Sequence, residues 1–244
     1  MFGRWLSILA ARLLLAVILT TISFDVLAIP MSGDAALLAA ELREIIGHPI
    51  EERSLNEELS AMCAAAARGQ DMGAQIVAIL ALAYASDASS LEELDHLAQS
   101  HNTTVAGAAK YAVTVRGASG MNLDQRLAVL SFRLGRAANA HERMFLANRI
   151  AVDYGEKGLP AIMLAAKEEK EPMVQVDMLY YLSQTKDAAL KQEILRWKWT
   201  EWHVFPEDMA FLLCTITPER DWGPSQESAR GILDALRERD ESKQ

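Results

Sequence analysis

Cysteine is scarce in this chain, and the short motifs of the common metal and nucleophile sites are missing. Cys63 and Cys214 are the only two cysteines among 244 residues, so no close cysteine pair can hold a zinc ion. The sequence has no His-Glu-x-x-His run and no Gly-x-Ser-x-Gly turn. Glu92 and His96 share one helix face, but two ligands do not make a metal site. We therefore expect no metal, no cofactor and no catalytic residues.

Positive charge is also in short supply. The chain has 24 Lys and Arg residues against 33 Asp and Glu residues, which gives a formal net charge of −9. Binding to nucleic acid without regard to sequence requires a clustered positive surface. An acidic chain is also repelled by anionic lipid. The charge balance therefore argues against nucleic acid as a partner and against adsorption to an anionic membrane.

Runs of alternating apolar and polar residues, which would indicate β-strands, are absent. Apolar residues instead recur at helical spacing in short segments bounded by Asn, Asp, Ser or Gly. Capping boxes at Ser54 with Glu57 and at Ser90 with Glu93 are expected to begin two of these helices. The sequence therefore predicts an all-α protein. Its helices form pairs over residues 54–85, 90–116, 122–154, 158–184 and 187–217.

The helical pairs return at a nearly constant interval. When they are aligned on the turn between their two helices, the spacings are 32, 37, 32 and 32 residues, from the aligned positions Gly73, Val105, Glu142, Val174 and Pro206. Such a period is typical of a stacked array in which neighbouring units bury each other's apolar faces. The sequence predicts an α-solenoid of about five antiparallel helix pairs over residues 54–217. An N-terminal capping helix within 29–53 and a C-terminal capping helix with a frayed tail over 218–244 would cover its ends.

The fourth pair carries the most specific pattern. Residues 158–165 read Gly-Leu-Pro-Ala-Ile-Met-Leu-Ala, and Val174 with Gln175 follows the charged turn before the second helix. This pattern resembles a HEAT repeat of the short bacterial type, and residues 91–113 carry a weaker copy. The resemblance implies a protein-binding scaffold whose concave face is lined by the second helices, around Ile76, Ala109, Leu146, Met178 and Phe211. A tetratricopeptide-like or irregular helical stack remains the alternative.

The first 28 residues have the pattern of an export signal. Arg4 and Arg12 precede twelve uncharged, mostly apolar residues at 13–24, and Val26-Leu27-Ala28 suits the positions before a cleavage site. We expect cleavage after Ala28 and a periplasmic location, which would leave 22 basic and 32 acidic residues and a formal charge of −10. The alternative is an uncleaved membrane anchor over residues 5–27. The uncharged run is shorter than the roughly 20 residues that a spanning helix needs.

The two cysteines fall in the first and last helical pairs. A disulfide requires Cα atoms within about 7 Å of each other, whereas a linear stack keeps its first and last units far apart. We therefore expect Cys63 and Cys214 to be buried, unreactive thiols. The same reasoning predicts that remote parts of the chain never touch.

One local cluster has the composition of a binding surface. Residues 196–205 contain Trp197, Trp199, Trp202 and Phe205, with basic side chains between them. Trp and Arg are the residues that most often anchor protein interfaces. The alternatives are that these rings fill the seam between the fifth pair and the final helix, or that they contact a membrane interface. The cluster is the candidate partner-binding patch.

These observations favour a non-catalytic helical scaffold that binds a protein partner in the cell envelope. A membrane-tethered structural component of the envelope that keeps its N-terminal helix is the second hypothesis. An enzyme whose site is assembled from distant residues is the third.

Overall fold

The computed structural model describes residues 47–196, together with residues 38, 40, 41, 44 and 45. Between residues 50 and 196 there are nine α-helices and two short 3-10 helices, and the described residues contain no strand, so the all-α prediction is confirmed. None of the helices in this described part has the length and hydropathy needed to cross a lipid bilayer. The predicted export segment, Cys214, Phe211 and the tryptophan cluster at 197–205 all lie outside the described residues.

The chain divides into two units, the first ending at Asp153 and the second beginning at Tyr154. The described residues from 38 to 47 are helical, and the 3-10 helix Ile50–Glu52 follows them. The helices of the first unit are α1 Glu57–Ala67, α2 Met72–Leu82, α3 Ala88–Leu97, α4 Thr103–Gly117, α5 Leu123–Leu134 and α6 Ala140–Tyr154. The second unit has the 3-10 helix Gly155–Lys157, then α7 Leu159–Glu168, α8 Pro172–Ser183 and α9 Ala188–Ile194.

Asn and Asp side chains begin six of these helices by accepting a hydrogen bond from a backbone N–H of the first turn. They are Asn56, Asp71, Asp87, Asn102, Asn122 and Asp187. The capping boxes predicted at Ser54 and Ser90 are wrong. Leu55 is held outside the helix because its N–H donates to the carbonyl of Tyr84 at 2.9 Å, so α1 begins after Asn56. Asp87 caps α3 three residues earlier than predicted, which places Ser90 inside the helix.

Two second helices form the centre of the first unit. Every residue of α2 from Ile76 to Leu82 is buried, as its nearly continuous apolar sequence predicts. In α6 the residues from Met144 to Ile150 are all buried, including the polar Asn148 and Arg149. A helix with so little exposed surface must be covered on nearly all sides. Each large apolar side chain that is fully buried in this way contributes about 1.5–3 kcal/mol to folding.

Neighbouring helices in the first unit follow the order of the chain. α1 packs against α2, and α3 packs against α4. In addition, α1 contacts α3, α2 contacts α4, and α4 contacts α6 through the rings of Tyr111 and Phe145, whose centroids are 5.9 Å apart. The first helix of the first pair, α1, therefore lies beside that of the second pair, α3, and the second helices α2, α4 and α6 contact one another in that order. In the second unit α7 packs against α8.

α4 lies very close to the start of α6 at Gly107. A Cβ atom at this position would lie 2.6 Å from Asn139 Oδ1 and 2.8 Å from the backbone nitrogen of Glu142. Two hydrogen bonds lie beside the crossing: Asn139 Nδ2 donates to the carbonyl of Thr103 at 2.9 Å, and Thr104 Oγ1 lies 3.2 Å from His141 Nε2. The close approach is possible because residue 107 has no side chain.

Cys63 is buried in α1 and its thiol is free. Burial raises the pKa of this thiol to about 11, so the reactive thiolate is scarce at neutral pH. The prediction of a buried thiol is confirmed for Cys63.

Candidate functional site

The candidate partner-binding patch of Trp197, Trp199, Trp202 and Phe205 lies outside the described residues, so it stays a prediction. Glu92 and His96 are exposed on α3. Within the described part of the chain no group of three or more His, Cys, Asp or Glu side chains could hold a metal ion.

Four of the five positions expected around the concave face are described, and all four are buried: Ile76, Ala109, Leu146 and Met178. They belong to the core, so any ligand contacts on that face would have to come from residues between them.

A cluster of charged and aromatic side chains joins the segment before α1 to the end of α6. Arg53 Nη1 donates to both carboxylate oxygens of Asp153 at 3.0 Å, and Arg149 Nε lies 2.6 Å from Asp153 Oδ2. The side chains of Arg53 and Asp153 are only 7% and 4% exposed. Charges buried to this extent are tolerated when they are paired and hydrogen-bonded. We call Arg53, Arg149 and Asp153, with Tyr84 and Tyr111 beside them, the arginine–aspartate cluster.

Burial and neighbouring charges both shift the pKa values of the groups in this cluster. Burial raises the pKa of Asp153 to about 6, although the charge of Arg53 lowers it. The charge of Arg126 also lowers it. Two guanidinium groups, those of Arg53 and Arg149, contact the carboxylate. Burial also raises the pKa of Tyr84 and of Tyr111, so both phenols stay neutral. The guanidinium carbon of Arg149 lies 5.7 Å from the centroid of the Tyr84 ring, within range of a cation–π contact.

The cluster brings together residues that are far apart in sequence. Arg53 and Asp153 are separated by 100 residues. Arg126 Nη1 also donates to the carbonyl of Ile50 at 3.2 Å, across 76 residues. The prediction that remote parts of the chain never touch is therefore wrong within the first unit. The spacing of the helical pairs does not indicate which remote segments of the chain come into contact.

The segment from His48 to Leu55 lies against the carboxyl-terminal parts of the second helices. Leu55 donates to the carbonyl of Tyr84 just after α2, and Asp153 is in the last turn of α6. Arg53 Nε donates to the carbonyl of His48 at 2.9 Å. Positive charge near helix carboxyl termini is favoured by the macrodipole. The cluster thus holds the start of the first pair against the end of the third.

A second polar cluster joins α1 to α3. Ser60 Oγ lies 2.7 Å from both Asp87 Oδ2 and Ser90 Oγ, and Ser90 Oγ donates to Asp87 Oδ2 at 2.8 Å. Ser89 Oγ donates to Asp87 Oδ1, and Arg116 Nη2 donates to the Asp87 carbonyl. The hydrogen bonds from Ser60, Ser89 and Ser90 hold the pKa of Asp87 well below its usual value. So weak a base does not activate a serine at neutral pH.

Asp87→Asn is expected to lower the free energy of unfolding by about 1–2 kcal/mol at neutral pH, because the amide is uncharged and its Nδ2 cannot accept the hydrogen bonds that Asp87 Oδ2 accepts from Ser60 and Ser90. The depressed pKa stabilises the fold above the unfolded-state value of 3.8, and this contribution is lost as the pH falls through that value and below it. Urea denaturation at neutral pH and at about pH 3 measures this effect. The difference in the free energy of unfolding between wild type and variant should be smaller at about pH 3. The exposed Asp95→Asn is the control, and a difference that does not change with pH would contradict this role for Asp87.

The turn between α5 and α6 presents a third arrangement, which we call the basic turn and define as residues 132–143. Phe132 is 63% exposed, and the guanidinium carbon of Arg136 lies 4.4 Å from the centroid of its ring. Arg133 holds the buried Glu142 with two contacts, at 2.5 and 3.1 Å. Arg143 Nη1 donates to the carbonyls at positions 137 and 138.

The basic turn was missed by the reasoning from overall charge. Residues 110–149 contain seven basic and two acidic residues, although the whole chain has a net charge of −9. A charge count over short windows of the sequence would have found this segment.

No family model, no curated protein and no solved structure matches this chain. The resemblance to HEAT repeats therefore depends on the quoted residues alone and stays a prediction.

Proposed function

We propose that this protein is an exported, non-catalytic α-solenoid scaffold that binds a protein partner in the cell envelope. The observation that carries the proposal is the ordered packing of the first unit, in which α1 contacts α3, α2 contacts α4, and α4 contacts α6. Side-by-side contacts of this kind are typical of stacked helical hairpins, which build extended surfaces for partners.

Recurring polar contacts support the repeat interpretation. Gln75 Nε2 donates to the carbonyl of Ala67 at the end of α1, and Gln175 Nε2 donates to the carbonyl of Ala166 near the end of α7. The two glutamines are 100 residues apart in sequence, close to three of the predicted periods. The same contact therefore recurs three pairs later in the chain.

An ion pair recurs at the same interval. Arg68, just after α1, lies 2.5 Å from Glu93 of α3, and Lys167 of α7 lies 2.7 Å from Glu193 of α9. Each pair joins the first helix of one hairpin to the first helix of the next. The basic partner of each pair is exposed to solvent. Ion pairs at the surface contribute about 0–1 kcal/mol, so these two support the repeat interpretation more than they account for stability.

The polar clusters support a role without catalysis. Asp153 is held by two guanidinium groups, and Asp87 is held by serine hydroxyls that also cap a helix. Both arrangements have a structural explanation. Location in the envelope is supported by the charged and apolar pattern of residues 1–28. We assign the partner contact to Trp197, Trp199, Trp202 and Phe205.

Affinity capture from envelope extracts tests this proposal. The wild-type chain is expected to retain a defined partner. The double variant Trp197→Ala with Trp202→Ala is expected to capture at least about tenfold less of that partner, because aromatic anchors dominate interface energies. Trp222→Ala is the matched control and is expected to capture the partner normally. Capture that is unaffected by the double variant would assign these rings to packing, and an absence of any partner would refute the scaffold.

The intact mass of the isolated protein separates the two envelope hypotheses. A mass without the first 28 residues supports export and release. A mass that includes them supports the membrane-tethered alternative, in which residues 5–27 stay in the bilayer.

A further inference from the structure

We propose that the basic turn, residues 132–143, docks an acidic segment of a partner protein that carries an apolar side chain. The inference rests on the proposed scaffold function, and it names a binding surface and the chemistry of the partner. It depends on three features of this turn: an exposed aromatic ring, a guanidinium group stacked on that ring, and a local excess of positive charge.

The exposed ring is Phe132. Its side chain is 63% exposed on α5, a helix that buries only Leu130 and Leu134. A single exposed apolar residue is ordinary on a protein surface. Phe132, however, also has the Arg136 guanidinium at 4.4 Å from its centroid, which forms a joint aromatic and cationic platform. Aromatic and arginine side chains are enriched among the residues that dominate binding energy.

The charge of the turn is directed outward. Glu142 is the one acidic residue between 132 and 143, and it is only 1% exposed because Arg133 covers it. The side chain of Arg133 is itself 41% exposed, and Arg136 is exposed as well. The carboxylate is therefore buried, while guanidinium groups remain at the surface.

The contrast with the rest of the chain favours an acidic partner. Residues 132–143 contain three basic residues and one acidic residue, a net charge of +2, so the other residues of the chain together carry −11. An acidic segment is attracted to this region and repelled by the remaining surface. Such complementarity steers encounter and fixes register.

A protein segment fits this surface better than a lipid bilayer. A planar anionic membrane would face the acidic molecule as a whole, and repulsion from the net charge of −9 would oppose binding. A narrow peptide segment contacts the basic turn alone. Its carboxylates can pair with the guanidinium groups, and its apolar side chain can pack on Phe132.

The proposal is tested by selecting, from a display library of random peptides, those that bind the full chain. The enriched peptides are expected to contain Asp and Glu around an apolar residue. Their affinity, measured by fluorescence anisotropy, is expected to fall about tenfold or more in the double variant Phe132→Ser with Arg136→Gln. It should also fall about tenfold when the salt concentration rises from about 50 to about 500 mM. The matched control is Leu164→Ser, because Leu164 is a 64% exposed residue on another first helix, and it should leave the affinity within about twofold.

Several results would overturn the proposal. One is the enrichment of neutral or basic peptides, and another is the failure to enrich any peptide. A third is a peptide affinity that the Phe132 and Arg136 substitutions leave unchanged. Binding of phosphatidylglycerol vesicles that depends on these residues, with no peptide binding, would assign the turn to lipid. If envelope capture succeeds while the peptide test fails, the scaffold function stands and this surface is wrong. If capture retains no partner, the scaffold function itself fails.

Discussion

Asp153→Asn is expected to lower the free energy of unfolding of the first unit by about 3–5 kcal/mol, because it leaves two buried guanidinium groups without their shared carboxylate. Arg53 and Arg149 contact Asp153 at 3.0 and 2.6 Å, and both side chains are only 7% exposed. The cost comes mainly from the two cations that stay buried. It therefore exceeds what the removal of an exposed ion pair produces.

Chemical denaturation at neutral pH measures this effect. The control is Asp95→Asn, since Asp95 is exposed on α3, and it should change the free energy by less than about 0.5 kcal/mol. The triple variant Arg53→Met, Arg149→Met and Asp153→Leu removes every charge of the group and should recover most of the lost stability, because apolar replacement of a buried ion pair is often neutral. If Asp153→Asn is as stable as the control, the arginine–aspartate cluster does not hold the first unit together.

Gly107→Ala is expected to lower the free energy of unfolding by about 1–3 kcal/mol, which is the usual cost of forcing extra volume into a packed contact. The new Cβ would meet Asn139 Oδ1 at 2.6 Å, His141 Cβ at 2.7 Å and the Glu142 backbone nitrogen at 2.8 Å. A backbone atom cannot rotate away as the end of a flexible side chain can. Relief would therefore require α4 and α6 to move apart, and the contact between Tyr111 and Phe145 would then weaken.

Gly117 supplies a matched control in the same helix. A Cβ there would meet nothing within 4 Å, so Gly117→Ala should be neutral or stabilising by up to about 1 kcal/mol through the better helix propensity of alanine. Urea denaturation of the two variants compares an identical chemical change at a crowded and an open position. Equal stabilities for the two would show that α4 and α6 are not in close contact at Gly107.

The described helices were largely predictable from the residues. The starts of α5 after Asn122 and of α9 after Asp187 followed from cap residues at the predicted starts of the third and fifth pairs. The starts of α1 and α3 were predicted at the wrong residues because each region offers two cap candidates. The residues that cap the two helices are Asn56 and Asp87 rather than Ser54 and Ser90. In α1 the start of the helix depends on the hydrogen bond from Leu55 to the carbonyl of Tyr84, which no local pattern reveals.

The candidate sites were less predictable. Arg53 and Asp153 look like ordinary surface charges in the sequence. They are 100 residues apart, so no local pattern links them. The basic turn was within reach of the sequence, because its charge excess is local. The stacking of Arg136 on Phe132 also joins residues one helical turn apart, so a helical reading of α5 permits it.

The sequence by itself determined the all-helical class and the helical segments, because capping and the 3.6-residue apolar period involve groups close together in the chain. The tertiary structure alone decided that Gly107 lies at a helix crossing and that Arg53 reaches Asp153. Those outcomes depend on contacts between helices and segments that are far apart in the sequence. They result from the packing of many side chains at once, and no short stretch of the chain contains that information.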